Sequence, residues 1–312
     1  MCRVYFFGVD EIRRHPVTCN FLSTLFVIDK IIRMTINKLQ LVFAVLIFAG
    51  TLNAQTYSGK VLDATTKETL PFVSIGIPGK GVGTIAQLDG SFAITISDDF
   101  NNDTLRFSMI GYKPQLMAVS TFKTQAAQMP VTINLQPDEK QLEAVVIRPR
   151  NMKNAMLGNE YKSPSLSAGF ITDDLGSELG TVMKVKDGRE YYLLSCGINF
   201  AKVDYDSIIF RINIYALENG LPGQLLHQLP IYVTVYRDQK SAEIDLKQYN
   251  IKVDDDFVLS LEWLQDLPDK TKAVMFCAGF FGNKIVYRQT AQDIWRDFPV
   301  GIGMWCAAEY EK

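Results

Sequence analysis

Short runs in which every second residue is apolar recur from Tyr57 onward, and they restrict this chain to few folds. Val73, Ile75 and Ile77 alternate with Ser74 and Gly76, and Phe92, Ile94 and Ile96 with Ala93 and Thr95. Leu105, Phe107 and Met109 keep the same period, as do Val131, Ile133 and Leu135. Successive side chains of an extended strand point to opposite faces, so this period marks strands with one face in a core. Asp89-Gly90 supplies a pair suited to a hairpin turn, because glycine takes a positive φ without steric cost. Gly79-Lys80-Gly81-Val82-Gly83 has no helix after it, so it reads as a turn between strands and not as a phosphate cradle.

The order of the pieces carries a resemblance. Gly59-Lys60-Val61-Leu62-Asp63, Leu70-Pro71-Phe72-Val73-Ser74-Ile75, Gly83-Thr84 and Asp89-Gly90-Ser91-Phe92 come first. Asp103-Thr104-Leu105-Arg106-Phe107-Ser108, Ile110-Gly111-Tyr112 and Leu142 with Val145-Val146-Ile147 follow. Together they resemble the carboxypeptidase regulatory-like domain over residues 56–147. That family occurs at the N-termini of secreted and outer-membrane proteins of Bacteroidetes-type bacteria. The resemblance implies a transthyretin-like sandwich of seven strands that accompanies other modules and holds no catalytic residues of its own.

Beyond Leu135 the character changes. Residues 148–168, from Arg148-Pro149-Arg150 onward, are polar and aperiodic and read as a linker. Strand-like segments then resume at residues 192–200, 207–217, 231–236, 242–246, 257–264, 274–281 and 303–308. Gly220-Leu221-Pro222-Gly223 and Leu267-Pro268-Asp269 read as turns. So many strands with little helical periodicity predict a second antiparallel sandwich of jelly-roll type over residues 169–312. The expected class is therefore all-β, two sandwiches in series. Parts of this half, Phe210–Tyr215 and Leu261-Glu262-Trp263 among them, are similar to an extension that recurs beside the same regulatory-like domain.

Residues 1–54 read as an N-terminal extension and a secretory signal. Met34-Thr35-Ile36-Asn37-Lys38 precedes the apolar run Leu39–Ala49, and Leu52-Asn53-Ala54 closes a cleavage site before Gln55. Residues 1–33 have no place in that scheme, so Met34 is the expected start. The run is short for a membrane span, and no stable transmembrane segment is expected in the exported chain. Export to the periplasm, the outer membrane or the exterior follows. The chain carries 32 basic and 34 acidic residues, which gives no support for binding nucleic acid.

Candidate chemistry is sparse. Cys196, Cys277 and Cys306 lie in apolar strand-like runs and read as buried thiols, one disulfide among them remaining open. A catalytic pairing of His227 with Cys196 or Cys277 is disfavoured for the same reason. Asp204, Asp206 and Asp254-Asp255-Asp256 precede strands and read as solvated turn residues, not as calcium ligands. Glu262 has no partner carboxylate at a spacing that sequence can define, so glycosidase chemistry cannot be argued. No cofactor or metal site is expected. Trp263 alternates with Leu261 and Leu259 and reads as core, whereas Trp295, and with it Tyr287, are the candidate ligand-binding rings. The expectation is a non-catalytic envelope protein that binds a glycan or an outer-membrane protein partner. A secreted hydrolase with its active site in the second half is the alternative.

Overall fold

The structure, a computed structural model, describes residues 54–138, 151–171, 174–185, 188–269, 271–280 and 283–311. The targeting pattern around Met34, Lys38 and Leu39–Ala49, and the last strand expected at Leu142–Ile147, lie outside the described residues. The alternating runs of the first half become β1 (Ala54–Asp63), β2 (Ser74–Ile77), β3 (Val82–Ile85), β4 (Ser91–Ser97) and β5 (Thr104–Ser108). These are followed by β6 (Gln115–Ala118), a helix α1 (Val119–Ala126) and β7 (Val131–Leu135). One sheet has the order β4-β1-β7 and the other β3-β2-β5-β6. Tyr57, Phe92, Phe107 and Phe122 pack between them, with Phe122 supplied by α1.

Gly90 has φ 77°, as a turn glycine should. The turn does not make a hairpin, however: it carries the chain from β3 in one sheet to β4 in the other. Gly79 and Gly81, with φ of 73° and 65°, close the β2–β3 hairpin.

The second half contributes β8 (Met152–Gly158), β9 (Ser167–Phe170), β10 (Glu178–Met183), β11 (Tyr191–Val203), β12 (Ser207–Glu218) and β13 (Leu221–Leu225). After these come β14 (Ile231–Tyr236), β15 (Ser241–Asp245), β16 (Lys252–Val253), β17 (Phe257–Trp263) and β18 (Val274–Gly279). The chain ends in β19 (Ile285–Arg288), β20 (Arg296–Phe298), β21 (Gly301–Ile302) and β22 (Met304–Glu311). One sheet runs β13-β12-β17-β10-β19-β20 with β14 beside β12. The facing sheet runs β21-β18-β11-β22-β8, with β15 and β16 on β11 and β9 on β18. Trp263, Phe170, Phe210 and Phe276 fill the space between, and Trp263 donates its indole Nε1 to the Gln265 carbonyl at 2.7 Å.

Two expectations need correction. Of the stretch 148–168 read as a linker, the described residues from 151 onward are tied into the second sandwich, because β8 pairs with β22 along its whole length and β9 begins within the same stretch. β8 is a sheet edge and only Leu157 of it is buried, which is why its sequence, Met-Lys-Asn-Ala-Met-Leu-Gly, carries no apolar alternation. Likewise Leu221-Pro222-Gly223 is strand, and the turn before it falls on Asn219 and Gly220, with φ of 52° and 81°. Two positive φ values in a two-residue loop match the right-handed twist of the hairpin.

The two cores are separate clusters, one within residues 57–135 and one within 157–308. The sandwiches nonetheless belong to one compact unit. Phe72 and Ile85 of the first meet Leu264 and Ala291 of the second in a small apolar seam. A second small cluster, Val182, Val258 and Val286 with Tyr215, Leu217, Leu221 and Trp295, packs on the outer face of the β13-to-β20 sheet. Every residue of β17 and of β10 is consequently buried, where one-sided alternation would be expected.

Candidate functional site

Strand register builds the site. Arg211 on β12 pairs with Glu262 on β17, Glu262 with Glu178 on β10, and Glu178 with Arg288 on β19. Directly paired residues share a face, so four charged side chains stand in one row on the outer face of this sheet. Two residue pairs further along β12 and β17, and so on the same face, Asn213 and Ser260 form a second polar row.

The row is tightly bonded. Arg211 donates from Nε and Nη2 to Glu262 Oε2, at 2.9 and 2.7 Å. Its Nη1 donates to the Phe72 carbonyl at 2.8 Å and so ties the row to the first sandwich. Arg288 Nη2 reaches Glu178 Oε2 at 2.6 Å and Glu262 Oε1 at 3.3 Å. Asn213 Nδ2 bridges both carboxylates, at 2.8 Å to Glu178 and 3.1 Å to Glu262. Ser260 Oγ donates to Glu178 Oε1 at 2.5 Å, and Tyr215 Oη approaches Glu178 Oε2 at 3.4 Å.

The two carboxyls are held at different points on the pH scale. Burial raises Glu178, and the neighbouring Glu262 charge adds to that, so Arg288 offsets the rise only in part. Burial acts the same way on Glu262, but Arg211 and Arg288 together more than cancel it and hold the group below its ordinary value. Two carboxylates pushed apart in this way would suit acid–base work if a substrate reached them. Neither is in reach: their side chains are 0% and 1% exposed, and all four oxygens accept hydrogen bonds or ion pairs from protein groups. The row is a rigid floor.

Above that floor lies a cleft of about 480 Å³ between the sandwiches. Ser74, Arg106 and Ser108 line it from the first sandwich, and Tyr215, Gln292 and Trp295 from the second. The segment from Thr290 to Arg296, between β19 and β20, crosses to the first sandwich as a strap. It passes over Gly76 and Gly83, where a Cβ would sit 2.7 and 2.0 Å from the Ala291 carbonyl oxygen, so only glycine admits it. At its tip Gln292 takes a left-handed backbone, φ 64°, and its carbonyl accepts from Gly79 N at 2.8 Å. A non-glycine residue there costs on the order of 1–3 kcal/mol, which the surrounding hydrogen bonds must hold in place.

Trp295, the ring singled out by sequence, lies half-buried on the cleft wall. The Arg288 guanidinium lies 5.0 Å from its ring centroid, and Tyr215 meets it edge-on at 5.8 Å. Tyr287 is not brought to the same place. It alternates with Arg288 on β19, packs against the second core, and lines a separate depression with Ile171 and Phe298.

The remaining candidates take structural roles. Cys196 and Cys306 are cross-strand neighbours on β11 and β22, and all three cysteines are free and buried. Burial pushes the Cys196 thiol up to about 12, which leaves no thiolate to react. His227 is buried with Nδ1 2.7 Å from the Leu229 carbonyl, and burial brings it down to about 4. Asp204 pairs with Lys202 at 2.8 Å, Asp206 with Arg237 at 2.5 Å, and Asp256 with Lys184. Among the described residues, no three His, Cys, Asp or Glu side chains are grouped as a metal site. Glu262 does have a partner carboxylate, Glu178, contrary to the sequence reading; pairing across strands 84 residues apart leaves no local spacing to find.

Residues 57–147 match the family model for the CarboxypepD_reg-like domain, which agrees with the resemblance seen in the sequence. No curated protein matches the chain. Among solved structures, one titled as the structure of infectious bursal disease virus Gx strain is similar at 10% identity, covering 84% of this chain and 80% of that one, with a TM-score of 0.21. The VP2 subviral particle of infectious bursal disease virus is similar at 7% identity, over 83% of this chain and 65% of that one, with a TM-score of 0.23. Scores this low carry no argument about fold or function.

Proposed function

We propose that the chain is a non-catalytic, exported binding protein of the cell envelope, and that the cleft between its sandwiches takes a glycan. The observation that carries this reading is Trp295, a half-buried indole held at the wall of a polar cleft by Arg288 and Tyr215. Sugar rings present apolar C–H faces that pack on an indole, while their hydroxyls need hydrogen-bonding groups close by. The cleft offers those groups in Ser74, Ser108, Arg106 and Gln292. Two sandwiches share the site, which gives the first module a place in binding.

The hydrolase reading rests on the Glu178–Glu262 pair. Their burial beneath Arg211 and Arg288 argues against it, since a general acid must come within hydrogen-bond reach of the bond it cleaves. An outer-membrane protein is the competing occupant of the envelope role.

Screening the full chain against immobilised glycans, with product analysis on each binder, tests the proposal. Saturable binding without cleavage, lost in Trp295→Ala, is the expected result. Cleavage that disappears in Glu262→Gln, in a protein that remains folded at the assay temperature, would replace it with the hydrolase.

A further inference from the structure

Gln292 at the tip of the strap organises the groups around it. Its Oε1 accepts from Arg106 Nη1 at 3.1 Å, which settles the orientation of the amide. Its Nε2 therefore donates, to Ser74 Oγ at 2.9 Å and to Ser108 Oγ at 3.0 Å. Each serine oxygen is thus used as an acceptor, so each hydroxyl proton remains to be donated elsewhere. Arg106 lies two residues before Ser108 on β5, beside the β2 strand that carries Ser74, and among the described residues it has no carboxylate partner. The deeper arginines differ: Arg211 and Arg288 are committed to Glu262 and Glu178.

Among the described residues, the cleft wall consequently holds one guanidinium without a carboxylate partner and two hydroxyls whose protons are free to donate. A neutral sugar hydroxyl both gives and accepts, and does not require such a set. An oxyanion accepts only, and guanidinium–oxyanion bonds are charge-assisted. The floor does not cancel the charge, since it pairs two arginines with two carboxylates of which one, Glu178, is the more readily protonated.

We infer that Arg106, Ser74 and Ser108, oriented by Gln292, form an oxyanion subsite, and that the glycan of the cleft is an acidic one bearing a carboxylate or a sulfate ester. This rests on the glycan reading above and narrows its ligand class.

Calorimetric titration of the full chain with a neutral oligosaccharide, a uronate-containing one and a sulfated one tests it, together with NMR of the arginine side chains titrated with methyl glucuronide and with inorganic sulfate. At least one acidic oligosaccharide is expected to bind ten-fold or more tightly than the neutral one, with a binding free energy that weakens as salt rises. Arg106→Gln should remove that preference, bringing the acidic oligosaccharide to within a few-fold of the neutral one, and Ser108→Ala, which keeps the charge, should lower it in part. The arm that gains affinity identifies carboxylate or sulfate as the source. Equal affinity for neutral and acidic sugars, or an acidic preference that survives Arg106→Gln, overturns the inference while leaving the glycan reading intact. Anion-induced shifts at Arg106 with no oligosaccharide bound at all would reverse that outcome: the oxyanion site would stand and the glycan reading would fall.

Discussion

Trp263 and Trp295 share a residue type and little else, and replacing each separates packing from binding. Trp263 is fully buried among Phe170, Tyr205 and Phe210, so Trp263→Ala should lower unfolding free energy by about 3–5 kcal/mol in a denaturant titration. Trp295→Ala removes a wall residue of the cleft and should weaken glycan binding by about 1–3 kcal/mol with a much smaller loss of stability. His227 makes a pH-dependent contribution. Its folded-state value, about 4, lies below the 6.5 of an unfolded histidine, so the unfolded chain takes up the proton first. The stabilisation is complete above pH 6.5 and fades as pH falls toward 4, by up to about 3 kcal/mol. Glu178 is shifted upward and acts in the opposite sense over an overlapping range, so the comparison with His227→Gln isolates the histidine. Stability measured from pH 7 to 4 should drop less steeply in the variant; parallel curves would contradict the assignment.

At the scale of strands, the row Arg211–Glu262–Glu178–Arg288 is where packing and charge meet. Glu262→Ala leaves two buried guanidiniums short of a partner and should cost about 3–5 kcal/mol. Replacing Arg211 and Glu262 together by Met and Leu should recover most of that loss, as paired apolar substitutions of buried ion pairs do. A chemical-denaturation double-mutant cycle measures both. These strands also show what could be read in advance. Val73, Phe92, Leu105 and Val131 announced the first sandwich, and Phe210, Phe257 and Leu261 the second, because an apolar face alternating with a more polar one leaves a period of two, even where, as in β17, both faces are buried. β10 escaped that reading: Glu-Leu-Gly-Thr-Val-Met is buried on both faces, one by its own core and one beside the first sandwich, so no alternation survives. Arg211, Asn213, Ser260 and Glu262 were visible as polar residues on outer-facing positions, where solvent is the ordinary neighbour. Their convergence into a floor depends on a second module covering the sheet, and on Gln292 reaching residues 184 to 218 positions earlier. Neither leaves a local trace.

For the whole molecule, the proposed export, the cleft that two sandwiches share and the proposed ligand held without chemistry can each be tested. Export rests on Lys38, Leu39–Ala49 and Leu52-Asn53-Ala54. N-terminal sequencing of envelope protein should begin at or within a few residues of Gln55, and cytosolic protein beginning at Met1 would rule the processing out. The most direct test of the central claim is hydrogen exchange on the full chain with and without the oligosaccharide that binds most tightly in the glycan screen. Protection should rise in two distant stretches at once, residues 74–76 with 106–110 of the first sandwich and 288–296 of the second, while the ligand is recovered uncleaved. Protection confined to one sandwich away from that cleft, or recovery of a shortened glycan, would contradict the account.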